Sequence, residues 1–273
     1  MRVLIGAASA LLCLFLAVAV DASELPRFLE KARDADVVIL GEIHDNPTHH
    51  ATQAEIVAAL RPAALVFEMF PQLAEGEIND LRANGAPAGD IARVMHWDVT
   101  GRPDFGYYAA ILAAAPGATV FGASQPAVDV RRAGVEGAAA AFGPDATIYG
   151  LDRPLARAEL AVRSRLFTAA HCGKVAADRL PGMIEVQRFR DAGLADAAIW
   201  ARTMTGGGQV VVIAGSGHAD KLRGAPAAIA VAEPDLRVVT LGQFEAPPDA
   251  EERFDGVLLA PAPARADPCA TLP

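Results

Sequence analysis

Aromatic side chains make up only 6% of the 273 residues, and there are three cysteines. So few cysteines exclude a disulfide-dense scaffold and the paired-cysteine frameworks of structural zinc. No run of lysine or arginine occurs and the formal net charge is -9. The basic stripe that a nucleic-acid partner needs is therefore missing. The acidic residues are scattered, which excludes an acidic tail. No His-Glu-x-x-His helix is present to mark a zinc protease, and no internal repeat is visible.

One long hydrophobic run does exist, at residues 3–20 behind Arg2. A short basic region, an apolar stretch and the small-residue site Val20-Asp21-Ala22 read as a signal peptide over 1–22, cleaved near Ala22. The run is also long enough for a membrane anchor, but no basic stop-transfer cluster follows. The expected location is therefore the periplasm or envelope. Cleavage removes Cys13 and leaves Cys172 and Cys269, which an oxidising compartment could join or leave as unrelated thiols.

The rest of the chain is 52% hydrophobic overall, much of it alanine, enough for a sizeable core. Short apolar runs at 36–42 (DVVILGE), 63–67, 118–122, 209–214, 237–241 and 254–259 have the length and composition of buried strands. Helical patterns separate them at 48–60, 71–83 and 91–112, the last broken at Gly101-Arg102-Pro103. The alternation predicts an α/β fold: a mostly parallel sheet flanked by helices. Residues 123–206 carry helical patterns with no clear strand and are expected as an inserted helical subdomain. The domain should span 23–262, with an irregular tail at 263–273.

Ligands of such sheets bind beyond the carboxyl ends of the strands. Three predicted strands end in polar residues: Gly41-Glu42-Ile43-His44, Glu68-Met69, and Gly215-Ser216-Gly217-His218. If these strands are neighbours, Glu42, His44, Glu68 and His218 converge, a stock for divalent-metal ligation or acid–base chemistry. Taken singly, each has a structural explanation as a cap, a loop hydrogen bond or a turn. His49 and Gln53 share a core-facing helical stripe with Ile56, Val57 and Leu60. Gln187 and Asp191 interrupt the stripe of Met183, Leu194 and Ala198, so they should meet a partner or a ligand. Arg188 and Arg190 are candidate partners. Trp97 and the pair Tyr107-Tyr108 flank the break at Pro103; they are either core or the lining of a haem pocket, where tyrosinate suits ferric iron.

Together these segments resemble the ChaN-type haem-binding uptake proteins of the Tiki superfamily. The resemblance lies in VILGEIHDNPTHHATQAEIVAAL (38–60), ALVFEMF (64–70), Trp97 with Pro103-Asp104-Phe105-Gly106-Tyr107, Val186-Gln187-Arg188-Phe189-Arg190-Asp191-Ala192, and Gly215-Ser216-Gly217-His218. It covers residues 36–242 and implies an envelope protein that binds haem for iron uptake. By that resemblance the haem-facing set would be Tyr107, Tyr108, His49, Trp97 and Arg188, with Tyr107 the first candidate for the iron. Partners would be envelope haem-uptake components and a second copy of the chain. Relatives include metal-dependent hydrolases, so a hydrolase using Glu42, His44, Glu68 and His218 with a divalent metal is the alternative. The family's Asn-x-Pro-Arg is replaced here by Ser124-Gln125-Pro126-Ala127, which removes one arginine; Arg131 or Arg132 are candidates to replace it.

Overall fold

The computed structural model describes residues 23–271. The expected signal peptide, including Arg2, Cys13 and the site at Ala22, lies outside them. None of the described helices is long and apolar enough to cross a membrane.

The chain opens with α1 (Glu24–Ala32), β1 (Val37–Glu42), α2 (Pro47–Leu60), β2 (Ala64–Pro71), α3 (Glu75–Ala83), α4 (Ala88–Val94), α5 (Phe105–Ala114) and β3 (Thr119–Ser124). It continues with α6 (Ala127–Glu136), α7 (Ala138–Phe142), α8 (Arg157–Ala170), α9 (Leu180–Met204) and β4 (Val210–Gly215). It ends with α10 (Ala225–Ala232), β5 (Val238–Phe244), β6 (Gly256–Leu259) and the short α11 (Pro268–Thr271). The six strands form one sheet in the order β3-β2-β4-β1-β5-β6, and every pairing is parallel.

The strand sequences explain this order. The central strands β1 (VVILGE) and β4 (VVVIAG) are buried almost throughout, as expected of β-branched runs covered on both faces. Alternate residues point to opposite layers. Val38, Leu40, Leu65, Phe67, Val211 and Ile213 pack against α1, α2 and α5. Val37, Ile39, Ala64, Val66, Val210 and Val212 pack against α9 and α10.

The helical stretch expected as an inserted subdomain is the connection between β3 and β4. Its longest helix, α9, is part of the main fold: Phe189, Ala192, Leu194, Ala195, Ala198 and Ala201 are buried in the second core layer. The small residues let α9 lie close to the sheet and to α6, where Gly182 and Gly134 touch backbone to backbone. The tail is irregular over most of its length and is closed by α11.

Candidate functional site

The register brings the three polar strand ends together. Glu42 pairs with Gly215 across β1 and β4, and Phe67 with Ile213 across β2 and β4. Glu42 and Glu68 thus finish within one residue step of each other along the carboxyl edge. They belong to opposite alternations: Glu42 follows Leu40 onto the α5 side, and Glu68 follows Val66 onto the α9 side.

His44, just past the strand end, links the two. Its Nδ1 donates to Glu42 Oε1 at 2.7 Å, and its Nε2 lies 3.9 Å from Glu68 Oε2. Glu68 Oε1 faces His218 Nε2 at 3.4 Å, and Oε2 accepts from the Gly215 backbone N–H at 2.8 Å. His218 Nδ1 donates to Asp191 Oδ1 at 2.6 Å, and the Gln187 side-chain amide lies 3.0 Å away. Gln187 and Asp191 therefore find their partner in His218, across the layer, and not in the neighbouring arginines. On the other flank the Tyr108 hydroxyl donates to Glu42 Oε1 at 2.8 Å. The result is a chain of alternating acid and imidazole running through the sheet edge, from Tyr108 to Asp191.

The charges follow from these contacts. Burial opposes protonation of His218, but Glu68 and Asp191 outweigh it and raise its pKa to about 10. Burial would raise Glu68, yet His218, His44 and the Gly215 N–H hold it well below the usual carboxylate range. Burial likewise opposes a charged His44, and Glu42 with Glu68 reverse that effect and raise it. Asp191 is raised by burial, and its Oδ2 finds no partner. Burial and the neighbouring Glu42 push Tyr108 far above the ordinary phenol value, so it stays a neutral donor.

Glu42, His44, Glu68 and His218 are thus neighbours, linked one to the next by these contacts. Among the described residues no group of three or more His, Cys, Asp or Glu side chains is placed to hold a metal ion.

The residues expected to face haem divide. Tyr107, on the first turn of α5, is half-buried, and its ring stacks on His50 with centroids 5.0 Å apart. Tyr108 is fully buried behind it, so it faces Glu42 and not solvent. Trp97 is buried against Phe70, Phe105 and Tyr108, with its Nε1 donating to Pro103 O. His49 is buried, and its Nδ1 accepts from the Ile43 N–H. Gln53 is buried too and donates to Leu40 O. Arg188 is directed elsewhere: it pairs with Glu185 and donates to the carbonyls of Gly150, Leu151 and Arg153. Arg132 pairs with Glu136 on the exposed side of α6.

Two residues, His50 and Arg102, join the site that the sequence pattern did not single out for it. His50 donates from Nε2 to His44 O at 2.8 Å, and its Nδ1 sits 3.3 Å from Glu42 Oε2. His50, Ala54 and Val57 are spaced to share one helical face, but His49 lies on an equally buried stripe, so spacing does not choose between the two imidazoles. Arg102 lies over the Trp97 ring at 5.0 Å. Arg102 and Arg190 line a cavity of about 280 Å3 with His44, Glu68, Ser124 and Gln125. Arg131 and Arg132 do not line it. On the far side of β4, a cavity of about 860 Å3 opens between α8 and residues 244–252, with Gln187 and Gly217 on its wall and His171 at its edge.

The family described as haem-binding uptake, Tiki superfamily, ChaN matches residues 28–229. A solved structure showing cofacial haem binding to ChaN of Campylobacter jejuni is similar over 86% of this chain and 90% of that one. Its TM-score is 0.65 at 20% identity. The type III effector HopBA1 is similar over 88% of this chain and 94% of its own, with a TM-score of 0.50 at 12% identity. At these identities the likeness is one of fold. None of the curated proteins matches the sequence.

Proposed function

This chain belongs to the ChaN family of haem-binding uptake proteins in the Tiki superfamily, and from that premise we propose that it is an exported envelope protein that holds ferric haem through Tyr107 and serves haem or iron uptake. The observation that carries the reading is the state of its three tyrosines. Tyr108 and Tyr149 are buried, with their hydroxyls on Glu42 and Asp196. Tyr107 alone keeps a partly exposed ring, and its oxygen makes no hydrogen bond among the described residues.

A phenolate oxygen is an anionic ligand suited to ferric haem, and bound haem would supply the iron it ligates. The ring is held in place from behind by His50, which is itself fixed by His44 O. Val99, in the turn that precedes α5, is exposed and offers apolar contact to a macrocycle. Cofacial binding, described for the Campylobacter jejuni protein, would place two haems face to face between two copies of this chain, each offering Tyr107. The Glu–His chain then serves as the rigid support of the site. Its groups are engaged with one another. Export is supported by the Cys172–Cys269 disulfide, a bond at home in an oxidising compartment. Envelope haem-uptake components are the partners this location implies.

Titration of the purified protein with haemin tests the proposal. A saturable ferric spectrum of tyrosinate type is expected. It should be lost, with affinity at least about tenfold weaker, in Tyr107→Phe, because an anionic ligand bond is removed. Tyr108→Phe should retain it. A Soret band unchanged in Tyr107→Phe would overturn the assignment and direct attention to His171, at the edge of the larger cavity.

A further inference from the structure

Arg102 and Arg190 have no acidic partner. Among the described residues neither guanidinium forms an ion pair, although both line the same cavity of about 280 Å3. Arginine in a protein is always charged, and a partly buried cation without a counter-ion is unfavourable. Arg102 is half-buried beside Trp97, and its one hydrogen bond among the described residues is to Ser124 Oγ at 3.4 Å. Burial accordingly draws its pKa down. Arg190 stands exposed at the other side.

One carboxylate, Glu68, does line the cavity, but both of its oxygens are engaged elsewhere, by the Gly215 N–H and by His218. Its charge acts on Arg102 from a distance, but among the described residues it forms no ion pair with either arginine.

We propose that this cavity is a carboxylate-binding pocket, in which Arg102 and Arg190 grip the anionic group. The volume suits a short acid or the acidic arm of a larger molecule, since about 150 Å3 accommodates a benzene ring. Two planar guanidiniums match a carboxylate in geometry as well as charge. The pocket also answers the sequence departure noted above. Arg102 from a loop and Arg190 from α9 reach the cavity at the strand end that carries Ser124 and Gln125. The carboxylate has two sources: a free small organic acid, or a propionate arm of haem. The second source rests on the haem reading above.

Both sources can be tested with Trp97, which lies under Arg102, as the reporter. Trp200, exposed on α9, is replaced by Phe so that only Trp97 emits. Sodium propionate should shift the Trp97 emission saturably. Arg190→Gln, which removes a guanidinium with no partner of its own, should weaken that response about tenfold, the loss of one charged hydrogen-bonding group. Arg190→Lys should restore part of it. In parallel, haemin and haemin dimethyl ester are compared. A roughly tenfold preference for haemin, abolished in Arg190→Gln, assigns the pocket to the haem propionate. Propionate binding without that preference assigns it to a free acid. Propionate that leaves Trp97 unmoved, together with equal haemin preference in wild type and Arg190→Gln, overturns the proposal. Haemin failing to bind at all sinks the haem reading while leaving the propionate arm to decide this one.

Discussion

His218 sits between two carboxylates, and its charge is the best-defined electrostatic feature of the site. Its pKa rises from about 6.5 to about 10 because Glu68 and Asp191 outweigh burial. A group raised on folding contributes stability that is fully present below its unfolded pKa and is lost as pH rises through the folded value. Stability from His218 should therefore fall between about pH 6.5 and pH 10, by up to roughly 1.4 kcal/mol per unit. Glu68 acts in the opposite range: its depressed pKa adds stability at neutral pH that is lost progressively as pH falls below the ordinary carboxylate value of about 4.5. Denaturation midpoints measured from pH 6 to 10 should decline in the wild type and stay nearly flat in His218→Gln. Parallel slopes would show that the imidazole is not held charged. At this scale four residues, Glu42, His44, Glu68 and His218, were legible because each lies at or just beyond the end of an apolar run with the length and composition of a buried strand. His50 and Arg102 were not. His50 shares the first turn of α2 with His49, and periodicity cannot tell which of two adjacent imidazoles meets the site. Arg102 lies in a break with no periodicity at all, so no local pattern sets its direction.

Between elements, the site depends on how closely the turn bearing His218 approaches β1. A Cβ at Gly41 would meet Ser216 Oγ at 2.7 Å, Ser216 Cα at 2.8 Å and Leu241 O at 2.9 Å. Ser216 Oγ in turn donates to Gln243 O and accepts from the Gln243 N–H, which locks this turn onto β5. Two of the three obstacles to a Cβ are backbone, so Gly41→Ala cannot be absorbed by a rotamer change. It should cost about 1–3 kcal/mol, as overpacking does, and lower the melting temperature by about 2–4 °C for each kcal/mol. Because the displaced turn carries His218, the Gly41→Ala protein should also lose the alkaline decline described above. A melting temperature within error of wild type would mean that β1 and the turn are less closely packed than the structure has them. Gly41 was visible as part of Gly41-Glu42, but its reason was not, because strand neighbours are invisible in one sequence. The same limit explains α9. Its Gln187 and Asp191 were recognisable as polar interruptions of a buried face, yet the stripe could not say that the face covers the sheet and belongs to the main fold.

For the whole molecule, the parallel sheet and the position of the site at its carboxyl edge followed from alternating strands and helices, whereas the strand order β3-β2-β4-β1-β5-β6 rests on long-range pairing that no local pattern encodes. The tail shows what such long-range contacts do. Cys172, just after α8, is bonded to Cys269 across 97 residues. On the way there the tail is fixed to the site's rim: Asn46 Nδ2 donates to Pro261 O, and Arg265 pairs with Glu245 and Asp45. The same Asn46 caps α2, accepting from the Thr48 N–H, so tail and site share a residue. A bridge closing so long a loop removes much of the freedom of the unfolded chain, and such bonds contribute about 2–4 kcal/mol. The surface ion pairs that accompany it add little by themselves. Reduction, or the double change Cys172→Ser/Cys269→Ser, should therefore shift urea denaturation to lower concentration by an amount equivalent to about 2–4 kcal/mol. The reduced wild type and the double variant should coincide. If the midpoint is the same with and without reductant, the tail is held by its polar contacts alone. If instead it falls as expected, the fold is matched to an oxidising compartment, since the same chain retained in a reducing one would lose a large part of a stability that for most domains totals only about 5–15 kcal/mol.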